Sequence, residues 1–285
     1  MDELTIRTAS AEEFATAIDW AAAENWNPRL DDLRVFYNTD PNGFLIGFCG
    51  SAPVSSISVV RYGNRFGFLG FYIVVPERRG QGIGIKTWYK GLAYLNGRTI
   101  GLDGVVDQLD NYRKSGFILT GRNIRFSGIP RIGDQTIGRS VRQICRGDMT
   151  SILTYDRPFF PDNRDEFLKV WIDPESRSKR MGLVAEDDGR VIGYGVIRNC
   201  RSGYKIGPLL ADDEAIATSL FSALCSQIDK GEVVSIDVPE KNIFAVHLAE
   251  FAGLFPAFET ARMYRGTPPT LPLKRTYGIT TFELG

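Results

Sequence analysis

Phe71-Tyr-Ile-Val-Val-Pro-Glu-Arg-Arg-Gly-Gln-Gly-Ile-Gly84 is the stretch on which the reading of this chain turns. An apolar run reaches Pro76, three glycines follow at alternate positions 80, 82 and 84, and a helical pattern opens at about residue 84 and continues to 95. A strand running through a glycine turn into a helix brings backbone N–H groups together without Cβ obstruction. The helix adds four unpaired donors at the positive end of its dipole. Such a turn is built to cradle a pyrophosphate. Two familiar phosphate motifs do not fit it. A P-loop places Gly directly before its Lys, whereas Ile85 precedes Lys86-Thr87; the dinucleotide fingerprint needs a third Gly where Thr87 stands.

Working outward, Ser10 with Glu13 forms a capping box that opens a helix through about residue 25, after a short strand at 5–9. A second helix is expected over 30–37, before the Asp40-Pro41-Asn42-Gly43 turn. Strands at 43–50, 54–62 and 66–75, divided by short turn signals, read as an antiparallel meander. Beyond the glycine turn the pattern predicts a strand at 99–102, a helix at 108–114 and a strand at 117–126. Residues 129–140 have no periodicity and hold two glycines, which places a domain boundary there, with 131–140 as linker. The second half repeats the order loosely: a helix at 163–171, strands at 181–186, 191–199 and 204–210, and a helix at 213–227. A strand at 233–238, a helix at 242–252 and strands near 262 and over 276–284 complete it. The internal repeat is roughly 140 residues, the scale of one domain.

What does match the glycine stretch is the Arg/Gln-x-x-Gly-x-Gly signature of the GNAT-superfamily N-acetyltransferases, present as Arg79-x-x-Gly82-x-Gly84. Leu102-Asp-Gly-Val-Val-Asp-Gln-Leu-Asp-Asn-Tyr-Arg-Lys-Ser-Gly-Phe117 resembles the second motif of that family, a strand followed by a helix ending in Tyr-x-x-x-Gly-Phe. The resemblance covers residues 1 to about 128. It implies an α/β fold of two tandem GNAT-like domains, each a mixed, mostly antiparallel sheet flanked by helices. It also implies acetyl-CoA bound through Val74, Arg79, Gly80, Gln81, Gly82, Ile83 and Gly84, with Tyr112 as the acid that protonates the departing thiolate. A phenol near pKa 10 stays protonated at neutral pH yet donates as a more basic anion develops. The Asn common near the start of that helix is replaced here by residues 105–107. The strand ending at Val74 is expected to splay from its parallel neighbour, freeing backbone groups for the pantetheine and the thioester carbonyl. The acceptor side is less defined. Asp103 is a candidate to anchor an ammonium or accept its proton, with a turn or cap residue as the competing reading. Glu24 and Trp26 stand where the family builds its acceptor wall.

Composition bounds the alternatives. Of 285 residues, 34 are Lys or Arg and 34 are Asp or Glu, and the zero net charge argues against the broad positive field of a non-specific nucleic-acid binder. No apolar run reaches ~18 residues and the N-terminus lacks a basic start, so neither a membrane span nor secretion is expected, and a cytoplasmic protein is. Four scattered cysteines with no Cys-x-x-Cys pair, and a lone His247, argue for no structural metal and no Cys or His nucleophile; the thiols are expected reduced and buried. Residues 1–60 hold nine acidic and three basic residues, whereas 61–131 hold twelve basic and four acidic. That swing from −6 to +8 suits a cationic acceptor beside a polyphosphate.

The second half resembles a degenerate copy. Asn242 keeps the family's Asn, but Ala249 stands at the tyrosine position, and Leu210 to Ala217 carries three carboxylates and no glycine, with Asp212 read as a helix cap. With Gly-Leu-Asp-Gly-Val and Asn-Ile-Arg-Phe in the first half, the whole is similar to tandem acetyltransferases related to holothin acyltransferases. The expected function is acetyl transfer from acetyl-CoA to a small-molecule or peptide amine by direct attack in a ternary complex. The alternatives are a non-catalytic acyl-CoA-binding regulator and a nucleotide-binding enzyme; oligomeric state is left open.

Overall fold

The computed structural model describes residues 3–29, 31–132, 141–175 and 180–285. The N-terminal half runs β1 (Leu4–Thr8), α1 (Ala11–Ala23), α2 (Asp32–Thr39), β2 (Phe44–Cys49), β3 (Ala52–Tyr62), β4 (Phe66–Val74), α3 (Ile83–Tyr94), β5 (Thr99–Val105), α4 (Leu109–Lys114) and β6 (Ile118–Gly128). The C-terminal half repeats that order as β7 (Val141–Gln143), α5 (Met149–Asp156), α6 (Asp165–Trp171), β8 (Arg180–Asp187), β9 (Arg190–Asn199), β10 (Tyr204–Ala211), α7 (Glu214–Cys225), β11 (Val234–Pro239), α8 (Ile243–Phe251) and β12 (Phe255–Arg265), with a short β13 (Thr276–Gly278) after it.

Local signals place most elements to within a few residues. The capping box at α1 is formed, Ser10 Oγ accepting from Glu13 N and the Glu13 carboxylate from Ser10 N at 2.9 Å. The β2, β3 and β4 strands are the expected antiparallel meander, and β4 then pairs with β5 in parallel. Two expectations need correction. β7 and α5 lie where no element is expected, because a three-residue strand and an eight-residue helix interrupted by Thr and Ser leave no readable period. The last strand is three residues long, not nine: after Gly278 the chain leaves the sheet and buries Thr280 to Leu284 in the core. Most of the expected linker, residues 133–140, and Leu30 at the expected start of α2 lie outside the described residues.

The two halves share one sheet. Among the described residues its order is β1-β2-β3-β4-β5-β12-β6-β11-β10-β9-β8-β7, with β13 beside β10. Thus the final strand of each half is exchanged: β12 closes onto β5 of the N-terminal half, and β6 closes onto β11 of the C-terminal half, all antiparallel. The core follows the sheet across the join, with Phe36 of α2 stacked on Trp171 of α6 at 6.1 Å. Among the described residues, eight α-helices cover the faces. None of them is long and apolar enough to cross a membrane.

Candidate active site

After β4 the chain makes a 3-10 turn at Pro76–Arg78 and reaches the glycines. Gly80 and Gly82 have φ of +76° and +77°, and a Cβ on either would meet nothing within 4 Å. An L side chain there would be strained by about 1–2 kcal/mol and would project into that open space. The space before the N-terminus of α3 is therefore open, and it lies at the positive end of that helix's dipole. Gly84 serves a different end: its Cβ would lie 2.8 Å from Tyr72 Oη and 3.2 Å from Val74 Cγ2, so its absence lets α3 pack on β4. Arg79 folds back, its Nε donating to the Val74 carbonyl at 2.9 Å and its guanidinium pairing with Glu24. Gln81 Nε2 donates to the Glu77 carbonyl at 3.1 Å.

The expected splay is present. The β4 ladder to β5 ends at Leu69 opposite Leu102, and β4 bulges at Phe71, which has φ +46° and whose carbonyl accepts from Ser56 Oγ at 2.7 Å. A non-glycine residue in that region is strained, and Phe71 is held there by ring contacts with Phe14 at 5.5 Å and Phe36 at 6.0 Å. Between the diverging strand ends opens a cavity of about 490 Å³ that also reaches Arg79, Gly80, Gly82 and Gly84, Tyr112, Glu24 and Trp26. Its lining includes neither cysteine nor histidine.

Tyr112 is 7% exposed, with its ring against Gly104, where a Cβ would come within 2.2 Å. Burial, helped by nearby Tyr72, pushes the phenol well above its ordinary pKa against the pull of a backbone hydrogen bond at Val105. Tyr72, which the sequence did not single out, lines the same cavity with its phenol pushed up to about 12 by burial. Both phenols stay protonated throughout the neutral range.

Asp103 is not at a strand end; β5 continues to Val105, and the carboxylate lines the cavity from within the strand. Both of its oxygens are engaged, Oδ1 by Arg262 Nε and Asn123 Nδ2 at 2.8 Å each and Oδ2 by Arg262 Nη2 at 2.6 Å. Burial holds its pKa above the ordinary carboxylate range despite Arg262. This geometry makes it a wall anchor rather than a free base. Glu24 caps the C-terminal end of α1, and the positive φ of Asn25 and Asn27 turns Trp26 into the wall. The Trp26 carbonyl is fixed there by Arg125 Nη1 at 3.0 Å and Lys205 Nζ at 3.3 Å.

Four lining residues come from the far half: Phe258 and Thr260 on β12, and Phe282 and Glu283 on the C-terminal tail. Sequence spacing carried no signal for them, since strand exchange is invisible to a local pattern. In the C-terminal half itself, the residue capping α7 is Asp213, whose side chain accepts from Ile216 N at 2.9 Å. Asp212, expected as the cap, instead accepts from Tyr155 Oη at 2.9 Å and pairs with Arg275. Asn242 does cap α8, accepting from Ala245 N at 3.2 Å, and His247 is exposed on that helix. Cys200 and Cys225 are buried, but Cys49 is half-buried and Cys145 exposed, contrary to the expectation for all four. A second cavity of about 310 Å³ lies beyond Arg262, lined by Arg122, Lys241 and Arg164, with no glycine turn beside it.

A family model described as an acetyltransferase (GNAT) domain matches residues 152–278, within the half that lacks the glycine turn. Along nearly its full length the chain is similar to the holothin acyltransferase of Pseudoalteromonas sp. (strain SANK 73390). The two are 33% identical over 283 residues, covering 99% of this chain and 94% of that one. Among solved structures, a putative acetyltransferase from Pyrococcus horikoshii superposes with a TM-score of 0.83 at 21% identity, covering 100% of this chain and 97% of that one. A tandem GNAT protein from the clavulanic acid biosynthesis pathway does so with a TM-score of 0.63 at 14% identity, covering 94% of this chain and all of its own.

Proposed function

The chain belongs to the GNAT acetyltransferases, and on that footing we propose that it moves an acetyl group from acetyl-CoA to a primary amine in a ternary complex, at the cavity of the N-terminal half. The observation that carries this reading is the continuity of one cavity from the open glycine turn, past the splayed ends of β4 and β5, to Tyr112 and the Trp26 wall. Gly80, Gly82 and the first-turn amides of α3, from Ile83 on, hold the pyrophosphate, with Arg79 and Gln81 at its rim. The strand end at Val74 receives the pantetheine arm. Acetyl-CoA supplies an activated acyl group, and Tyr112 hands its proton to the sulfur as that group departs. With neither cysteine nor histidine in the lining, the amine attacks the thioester directly.

The C-terminal half, in this reading, is a degenerate copy with no CoA site. The carboxylates of Asp212, Asp213 and Glu214 stand where phosphates would lie, and like charge excludes them. Calorimetry with acetyl-CoA, CoA and ATP, followed by thiol release against a panel of primary amines, tests the assignment. Holothin is the first acceptor to try, since the similar Pseudoalteromonas protein is a holothin acyltransferase. Binding of ATP in preference to CoA, or CoA binding without thiol release for any amine, would overturn it.

A further inference from the structure

The C-terminal tail enters the acceptor end of the cavity from the far half. After β13 it turns inward and is fixed: Tyr62 Oη donates to the Leu284 carbonyl, and Leu284 N to Thr281 Oγ1, each at 2.9 Å. The Glu283 backbone oxygen stands 2.1 Å from where a Cβ on Gly70 would be, so that glycine admits the tail against the bulged end of β4. Phe282 is clamped by Arg125 at 4.8 Å from its ring centroid. Glu283 is 3% exposed and lines the cavity, yet its Oε1 is buried with no hydrogen-bond partner among the described residues. Thr260 Oγ1 on β12, lining the same cavity, is equally unpartnered.

An unsatisfied buried acceptor is destabilising, and two residues of this one cavity wall each carry such an oxygen, so a bound group with more than one N–H would satisfy both. Two of the neighbouring cations are committed: Arg125 holds Asp237 through two bonds of 2.6 and 2.9 Å, and Lys205 Nζ points to the carbonyls of Trp26 and Asn27. Asp32 is bonded by Arg180, whereas Arg198 stands 3.5 Å from Asp32 with its Nε and Nη1 lacking a hydrogen-bond partner among the described residues. Burial keeps the Glu283 carboxyl above the ordinary carboxylate range, while Lys205, Arg198 and Arg125 pull it down and Asp32 adds to the rise. A carboxylate so placed gains from a cation and accepts a proton readily.

Building on the acyl-transfer reading, we propose that Glu283, supplied by the C-terminal tail, is the catalytic carboxylate that receives the acceptor's ammonium and takes its proton, with Thr260 accepting a second N–H. The ammonium gives one proton to Glu283; the freed lone pair then forms the C–N bond as the C–S bond breaks. The sulfur leaves with the C–S bonding pair and takes the Tyr112 proton. The second proton lost by nitrogen restores the phenol, and Glu283 releases its own to water.

The test is Glu283→Gln, assayed by thiol release from acetyl-CoA with holothin and the amines that the wild type acetylates. We expect kcat/KM for the amine to fall at least ~10²-fold, Kd for acetyl-CoA to stay within twofold by the order of experimental error, and Glu283→Asp to recover part of the loss. In the wild type kcat/KM rises with pH as Glu283 ionises and then levels. In the Gln variant that limb disappears, and activity climbs only as free amine forms in solution. Wild-type kinetics with an unchanged pH profile in Glu283→Gln would overturn the proposal. A wild type that binds acetyl-CoA but acetylates no amine would instead remove the acyl-transfer reading beneath it. Should the Gln variant not fold, Thr260→Val leaves the charge cluster intact and should raise KM for the amine roughly 3- to 10-fold, the effect of one lost hydrogen bond; an unchanged KM would count against the site.

Discussion

Replacing Gly82 with aspartate separates the two roles that the glycine turn combines. In the free protein a Cβ at position 82 meets nothing within 4 Å, so neither alanine nor aspartate clashes. What both variants share is the strain of holding an L residue at φ +77°, about 1–2 kcal/mol, which lowers Tm by several degrees. That strain exists with and without ligand and should leave Kd nearly unmoved. Aspartate adds a negative charge where the pyrophosphate is to sit. Two unit charges roughly 4 Å apart repel by about 1 kcal/mol in water and about 4 kcal/mol at an effective dielectric of 20. The expected weakening is therefore roughly 5- to 10³-fold in Kd, toward the upper end because the diphosphate carries more than one charge. Calorimetric titration with CoA reads this directly, with Gly82→Ala isolating the strain. Asp213→Ala serves as a control in the other half: losing the cap of α7 destabilises by about 0.5–2 kcal/mol without touching CoA. A stoichiometry of two, unaltered affinity in Gly82→Asp, or weaker CoA binding in Asp213→Ala would refute the reasoning.

Tyr112→Phe should lower kcat by ~10²–10⁴ with little change in acetyl-CoA affinity; full turnover with only a lower Tm would reduce Tyr112 to a packing residue. Glu24→Gln frees Arg79 from an exposed pair and should tighten CoA binding no more than about fivefold, since such pairs are worth roughly 0.2–1 kcal/mol. A weaker Kd in that variant would contradict the view that phosphate and Glu24 compete for Arg79. Asp103→Asn leaves the buried Arg262 guanidinium without its counter-charge and should destabilise by about 3–5 kcal/mol in urea unfolding. Unchanged stability would mean that the pair does not hold the cavity wall.

How far the sequence carried depends on the range of the interaction. The glycine turn, the α1 capping box and the meander are set by residues within a few positions of one another, and their spacing announces them. Asp103 shows the limit: its partner Arg262 lies 159 residues away, so a carboxylate that reads as a turn residue or a base is tied down by a strand from the other half. The Asp212 and Asp213 pair shows another. Asp212 reads as the cap of α7, yet Asp213 takes that place while Arg275 and Tyr155 claim Asp212. The stretch 276–284 is rich enough in β-branched and aromatic residues to resemble a strand, yet the tail leaves β10 after Gly278 for a buried niche beside β4.

Strand exchange also sets a timetable for synthesis. As the chain emerges, β5 is finished at Val105, but the neighbour that closes its free edge is complete only at Arg265. At ~5–20 residues per second the intervening length takes about 10–30 s to make. Hairpin and helix formation need only microseconds. During that wait β6, a short connection away, can settle against β5 in the place reserved for β12. The native arrangement is then reached by displacement, so the nascent protein needs a weak β5–β6 pairing or a chaperone's protection of that edge until the last fifth of the chain arrives.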